Sequence, residues 1–309
     1  MKKQINQSGT AIIAALFVTA LVAMMAIAMM DRLSADTRRA ELFLNSNQAN
    51  LYAAGSLYWA MDQLINDYKT QQPNKIIDNT PIKSPTNTVN GAKIFGIIQD
   101  AEGELNINNL NDTQFQALFI RLIRLVSPNI TDSAAKNMMQ AALDWITPGV
   151  NNSTFDQYYA TLNPPYHAPH RPMVSVSELR MVKGMTADLY EKLIPYVTAL
   201  PEKTPININN APIPILMSLD PLVTLDMAKA IDVYRKRTPF VNLDMLSNFP
   251  VVKNSPIAQN NLTVTSSYFR VQTNVIINDQ HIILYSLLMR ALKNSEPNIT
   301  LLWQTKGTL

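Results

Sequence analysis

Residues 11–30 read AIIAALFVTALVAMMAIAMM, with no charge, no proline and no glycine. At about 1.5 Å rise per residue, a helix of that length matches a bilayer core of about 30 Å. A helix buried in a globular core usually keeps a polar face, so the run predicts a membrane-spanning helix over 10–30. No proline interrupts the adjoining stretch, DRLSADTRRAELFLNSNQANLYAAGSLYWAMDQLINDYKT (31–70), where Leu42, Leu51, Ala54, Leu57, Ala60 and Leu64 recur at helical intervals. One helix is expected from Thr10 to about Tyr68, about 90 Å long. Only its first third fits in lipid. The stripe from Leu57 to Leu64 calls for a folded head to pack on.

Upstream stands MKKQINQSG (1–9), whose only charges are Lys2 and Lys3. By the positive-inside rule they keep the N-terminus cytoplasmic and send the remainder across the membrane. A secretory signal peptide carries its small-residue cleavage site after the apolar segment. Here the order is reversed, with Gly9 between a short basic leader and the apolar helix. That order resembles the type IV prepilin leader, which implies cleavage by prepilin peptidase between Gly9 and Thr10 and retention of the apolar helix. An uncut N-terminal anchor is the alternative reading of the same residues.

The chain of 309 residues is 47% hydrophobic and 16% charged, which excludes a disordered or strongly acidic protein. It has no cysteine, so disulfides, thiolate zinc sites, iron–sulfur clusters and a cysteine nucleophile are all excluded. Lys plus Arg exceed Asp plus Glu by 26 to 23, too small a surplus to imply a nucleic-acid partner.

Beyond the helix, QQPNKIIDNTPIKSPTNTVNG (71–91) reads as a loop, and AKIFGIIQD (92–100) alternates as a strand. Strand character returns at 261–292, around Val264, Tyr268, Val271 and Val275, with a hairpin turn at Asn278-Asp279 and a last short strand in ITLLWQT (299–305). Between the strand segments, caps and periods predict helices at Thr113–Val126, from Asp132, from Ser177 with Glu178, at Thr186–Leu200 and at Leu225–Arg235. Prolines such as Pro164, Pro165, Pro201 and Pro205 mark the connections. The fold class is therefore α+β: a long N-terminal transmembrane α-helix packed on an antiparallel β-sheet, with a large inserted all-α domain. The expected division is a leader at 1–9, a transmembrane helix at 10–30, helix, loop and first strand of the head at 31–100, the insert at 101–255 and the remaining strands at 256–309.

The leader and anchor, with ELNINNL (104–110), LDWI (143–146), DQYY (156–159), SELRMVKGM (177–185), Leu200-Pro201, ININNAP (206–212) and TVTSSYFRV (263–271), resemble the K-type minor pseudopilins of type II secretion systems. The resemblance spans nearly the whole chain in order, and TSSYFRV with the paired asparagine strings is its most specific part. It implies a pseudopilin head with a helical insert, held in the inner membrane with the head periplasmic. It further implies a place at the tip of the pseudopilus with the I-type and J-type minor pseudopilins, and less directly with the H-type and major pseudopilins. Ordinary pilins carry a glutamate at the fifth mature residue; counted from Thr10 that position is Ala14, and K-type members usually lack the acid. An end subunit can do without the pairing that a carboxylate buried in an apolar helix demands. A head enlarged by an insert also suits an end better than a packed fibre.

The resemblance also implies a calcium loop, with Asp144 and Asp156 as ligands and Asn151 and Asn152 between them. Thr147 and Phe155 stand where the family tends to have acids, which leaves two carboxylates for an ion that takes six to eight oxygens. Weak or absent calcium binding is expected. Enzymatic chemistry finds little footing: only His167, His170 and His281 could act as near-neutral bases, His167-Ala-Pro-His170 reads as a surface loop, and glycine totals only 8. The alternative function comes from SELRMVKGMTADLYEKLIPYV (177–197) and NNAPIPILMSLDPLVTLDMAKAIDVYRKR (209–237), which resemble helix-hairpin-helix units. These suggest a membrane-anchored DNA-binding, competence or type IV minor pilin protein, with Arg235, Lys236 and Arg237 as its basic cluster. The single glycine of Val182–Met185 and the proline in Asp220–Val223 weaken that reading, and a solvated helix end accounts for the cluster.

Overall fold

The computed structural model describes residues 8–69, 81–150, 152–258, 260–278, 280–293 and 296–307. Lys2 and Lys3, much of the expected loop, Asn151 and Asp279 lie outside them. In chain order the elements are α1 (Ser8–Lys69), β1 (Ile82–Lys83), β2 (Asn87–Val89), β3 (Ala92–Asp100), β4 (Leu105–Asn106), α2 (Thr113–Val126), α3 (Asp132–Ile146), α4 (Thr154–Ala160), α5 (Ala187–Leu193), β5 (Val197–Thr198), β6 (Ile206–Asn207), α6 (Ile213–Ser218), α7 (Leu225–Arg237), α8 (Pro250–Lys253), β7 (Leu262–Thr263), β8 (Tyr268–Ile277), β9 (Gln280–Lys293) and β10 (Glu296–Lys306). The chain divides into two compact units between Tyr52 and Ala53.

The first unit holds the N-terminal part of α1. Ile12, Leu16, Phe17, Met24 and Met29 are all exposed on it. Within Thr10–Lys69 the helix is long and apolar enough to cross a membrane, and none of its apolar window is buried.

In the second unit, the end of α1 lies on an antiparallel sheet of order β1-β3-β8-β9-β10, with β2 pairing β3. Ala60 and Leu64 from the helix meet Ile98, Phe269, Val271 and Leu288 from the strands, as the expected stripe requires. The approach is close because β3 offers Gly96: a Cβ there would run into Ser56 Oγ and come within 3.1 Å of the Trp59 ring. Arg290 on β9 fixes the helix end, donating to Asp67 Oδ2 at 3.1 Å and to the Leu64 carbonyl at 3.3 Å.

Several local expectations need correction. The stretch expected as a loop before β3 contains β1 and β2, and β2 turns into β3 through Asn90-Gly91, both left-handed (φ 50° and 80°), a pair suited to the tight turns that match strand twist. The helix expected over 186–200 stops at Leu193, because Pro195 lacks the N–H and the next residues pair in parallel with β4, Leu105 opposite Val197. The turn at 176–181 is a 3-10 helix capped by Ser175 rather than Ser177, with Glu178 completing the capping box. The last strand runs over Glu296–Lys306, longer than expected, with a bulge between Leu301 and Trp303.

The insert is built twice on one plan. Each copy opens on a short strand whose last residue begins Asn-Ile-Asn-Asn (106–109 and 207–210) and closes on a strand parallel to the first, β4 with β5 and β6 with β7. In the first copy Asn108 accepts from the Met173 amide at 2.8 Å and donates to the carbonyls of Met173 and Leu200, both at 2.9 Å. In the second, Asn209 accepts from the Phe240 amide at 2.9 Å and donates to the carbonyls of Phe240 and Val264 at 2.9 and 3.0 Å. A 3-10 turn follows each clamped residue, at Val176–Met181 and Leu243–Asn248. One continuous apolar core, from Leu105 to Leu262, fills both copies.

Candidate functional site

Three places in the chain carry the sequence-derived expectations: the start of α1, the Asp144–Asp156 loop and the hairpins of the insert. At the first, Gly9 and Thr10 fall in the opening turns of α1 and Ala14 is exposed on the same helix. No acid occurs between Thr10 and Met30.

Asp144 sits in the last turn of α3 and Asp156 in the first turn of α4. Ser153, the N-cap of α4, joins them: its Oγ donates to Asp144 Oδ2 at 3.0 Å and accepts from the Asp156 amide at 3.0 Å, while its own amide donates to Asp156 Oδ2 at 3.2 Å. The third member is His170, expected in a surface loop but half-buried here. Its Nε2 lies 3.1 and 3.0 Å from Asp156 Oδ1 and Oδ2, and its Nδ1 lies 3.0 Å from the Asp144 carbonyl oxygen. Its partner in the string, His167, is exposed.

Burial opposes charge on Asp156, but the bonds from His170 and Ser153 outweigh it and hold the carboxyl below the usual range. Burial likewise opposes charge on His170, and its bonds to Asp156 and Asp144 raise it above an ordinary histidine. Asp144 is raised, burial being the largest cause. Asn152 is exposed, and the Thr147 hydroxyl donates back to Leu143 O at 2.6 Å. Two carboxylates, one of them facing an imidazole, supply at most four of the six to eight oxygens that calcium takes.

Several amides of the insert's hairpins are already engaged by the protein. In the first, the Lys183 amide donates to Tyr159 OH at 3.1 Å and the Lys183 Nζ lies 4.2 Å from the Tyr158 ring centroid. In the second, the amides of Leu222 and Val223 donate to Asp220 Oδ1 and Asp220 O. Those amides are not available to a phosphate. Nor is the basic cluster wholly solvated as expected, because Arg235 is buried, donating to Ile208 O at 2.7 Å and pairing with Asp232 at 2.7 Å.

One buried polar cluster was not foreseen. Where β3 enters the insert, Asp100 Oδ2 accepts from Ser266 Oγ at 2.6 Å, from Asn207 Nδ2 at 3.0 Å and from Asn210 Nδ2. Two residues on, Glu102 Oε1 accepts from the Ser267 amide at 3.1 Å, and burial, aided by the charge of Asp100, pushes its carboxyl up to about 8. Glu104 forms a two-pronged ion pair with Arg270 on β8, at 2.9 and 3.3 Å. These acids hold the insert to the sheet. Gly103 between them is packed so that a Cβ would stand 2.6 Å from Asn210 O.

A long N-terminal helix, apolar at its start and packed at its end on an antiparallel sheet that carries a helical insert, defines a pseudopilin-type protein. Residues 103–202, the first copy within the insert, match the family described as Type II secretion system (T2SS), protein K. Type II secretion system protein K of Pectobacterium carotovorum is 32% identical over 92% of this chain and 92% of its own length. That of Pseudomonas aeruginosa is 26% identical over 92% and 89%. The fold is shared with a chain in the crystal structure of the GspK-GspI-GspJ complex from the enterotoxigenic Escherichia coli type 2 secretion system. That chain is 21% identical with a TM-score of 0.67, and the match covers 88% of this chain and all of that one. The chain belongs to the type II secretion system protein K family.

Proposed function

We propose that this chain is the minor pseudopilin at the tip of the type II secretion pseudopilus, where it helps start fibre assembly and so supports protein export across the outer membrane. The observation that carries the reading is α1: 62 residues long, exposed along its apolar start, without an acid at the fifth position from Thr10, and ending in a head enlarged by an insert. An apolar stem packs about as well against neighbouring stems as against lipid tails, so a subunit stored in a bilayer can be drawn into a fibre. The related three-protein complex supports I-type and J-type minor pseudopilins as the direct partners, with the H-type and major pseudopilins further along the fibre. On this reading prepilin peptidase cuts between Gly9 and Thr10. The helix over 10–30 then anchors the chain in the inner membrane with its head in the periplasm, and the protein works by assembly rather than catalysis.

Full-length chain in detergent, mixed with folded I-type and J-type partners, is expected to co-purify as a ternary complex, and its failure to do so would refute the tip assignment. Mass spectrometry of the native protein should find Thr10 as the first residue. An intact Met1 in cells with active peptidase, or a start beyond Met30, would refute the processing.

A further inference from the structure

Between the first copy of the insert and the outer strands of the sheet runs an open cleft of about 480 Å³. Arg180 and Ile194 stand on the wall made by the insert, and Leu287, Trp303, Gln304 and Thr305 on the wall made by β9 and β10. The last strand is shaped to this cleft. Ile299 packs on the α1 side of the sheet, whereas Trp303, four residues on, packs with Leu200 and Leu287 on the insert side. Strict alternation would keep both on one face, so it is the bulge between Leu301 and Trp303 that turns the indole into the cleft.

Residues 303–305 are consecutive and all line the cleft, which therefore follows the rim of the strand rather than one face of it. The Gly307 amide donates to Ile283 O at 3.0 Å. Antiparallel alternation then directs the N–H and C=O of Trp303 and Thr305 toward β9, and those of Gln304 away from it. β10 ends its sheet, and from Asn298 to Thr305 it carries neither charge nor proline, two common guards of a free edge. Such a rim is a template for another strand.

The side chains of the cleft add a preference. Two guanidinium groups and no acid line it among the described residues. Arg270 is engaged by Glu104 in the two-pronged pair. Arg180 is exposed, with its guanidinium 4.3 Å from the Tyr190 ring centroid and no carboxylate partner among the described residues. Stacking occupies the face of the guanidinium and leaves its in-plane N–H fork for a carboxylate.

We propose that this cleft takes an extended acidic segment of a partner protein. The segment adds a strand to β10, its backbone bonding to the N–H and C=O of Gln304. An apolar side chain rests on Ile194 and Trp303, and a carboxylate meets the fork of Arg180. The assignment does not depend on where the subunit stands in a fibre.

The test uses full-length chain in detergent and a fluorescein-labelled peptide of nine residues, alternating threonine and valine with glutamate at the centre. Anisotropy titrations at low salt compare it with a peptide bearing glutamine at the centre and with one whose amides are all N-methylated. Saturable binding of the glutamate peptide is expected, weakened about tenfold by glutamine and abolished by N-methylation. Arg180→Gln should remove the preference for glutamate without moving the melting temperature, because the side chain is exposed. Hydrogen exchange in the fragment that spans β10 should slow when the glutamate peptide is bound. Should the variant not fold, the three peptides and the exchange at β10 decide the matter on the native chain. Failure of the glutamate peptide to saturate, equal affinity for the glutamate and glutamine peptides, binding that survives N-methylation, unchanged exchange at β10, or a glutamate preference that persists in Arg180→Gln overturns the proposal.

Discussion

Replacing Asn209 with alanine tests whether the asparagine strings serve the fold. Asn209 is fully buried, and its amide group joins three backbone groups: Phe240 N, Phe240 O and Val264 O. Asn209→Ala leaves one N–H and two carbonyls without their partner, each an expense of about 1–3 kcal/mol when buried. Water entering the space left by the amide recovers part of that, so a net loss of about 3–5 kcal/mol is expected. For a unit of this size one kcal/mol moves the midpoint by about 2–4 °C, so the variant should melt on the order of 10 °C lower by calorimetry of the detergent-solubilised chain. Asn209→Asp should be worse still, since it sets a carboxylate against two carbonyl oxygens. Asn108→Ala removes the equivalent clamp from a half-buried position and should lose less, because solvent can take over its partners. A midpoint for Asn209→Ala within two or three degrees of the native chain, or a smaller loss for Asn209→Asp than for Asn209→Ala, would refute the reasoning.

Two more outcomes concern the sheet and its joint with the insert. Glu102 titrates near 4.5 unfolded and near 8 folded, so at low pH both states hold its proton. As pH rises through that window only the unfolded state releases it, and stability falls by up to a few kcal/mol, on the order of 1.4 per unit of separation. Glu102→Gln keeps an acceptor for the Ser267 amide and should flatten that fall, becoming more stable than the native chain near pH 8; parallel melting curves across the window would refute it. Gly96→Ala should cost about 1–3 kcal/mol in urea unfolding by forcing Ser56 and Trp59 away. Ser56→Ala in the same chain should return part of it, and strict additivity of the two changes would show that they do not touch.

Much of the architecture was legible because it is periodic. The apolar run, its helical continuation to Lys69 and the alternation in β3 and β8 are local patterns that a sequence displays directly. Asn90-Gly91 was equally local, a strong hairpin signal set between TNTV and AKIF, but proline, asparagine and threonine nearby made the stretch read as loop. Pro195 was in plain view too, and it ended α5 where the helical period alone ran on. What could not be read were contacts made across long sequence separations. Nothing near Arg235 shows that Ile208 O will take it out of solvent, and nothing in LNPPYHAPHRP says that His170 will turn onto Asp156 while His167 stays out. Asp100 closed the strand read over 92–100 and Glu104 opened ELNINNL, but no local pattern joins these acids and Glu102 into one cluster, because their partners Ser266, Ser267 and Arg270 arrive from beyond the insert.

The two copies within the insert share a plan but divide its duties. In the first, Asn106 turns inward, accepting from the amides of Asn108 and Leu200 and donating to Glu202 O, so its polar atoms are spent inside its own module. In the second, Asn207 accepts from the Asn209 amide in the same way, but its Nδ2 reaches Asp100 and Ser266 at the mouth of the sheet. The same residue type at the same place in the plan therefore closes a module in one copy and fastens the insert to the head in the other. The asparagine strings that make the family recognisable are consumed by folding in both copies, which leaves them little capacity to bind a partner. A search for partner contacts should pass over them and begin with apolar groups that the protein's own packing has not used, such as Leu33, Phe43, Leu51 and Tyr58 on α1.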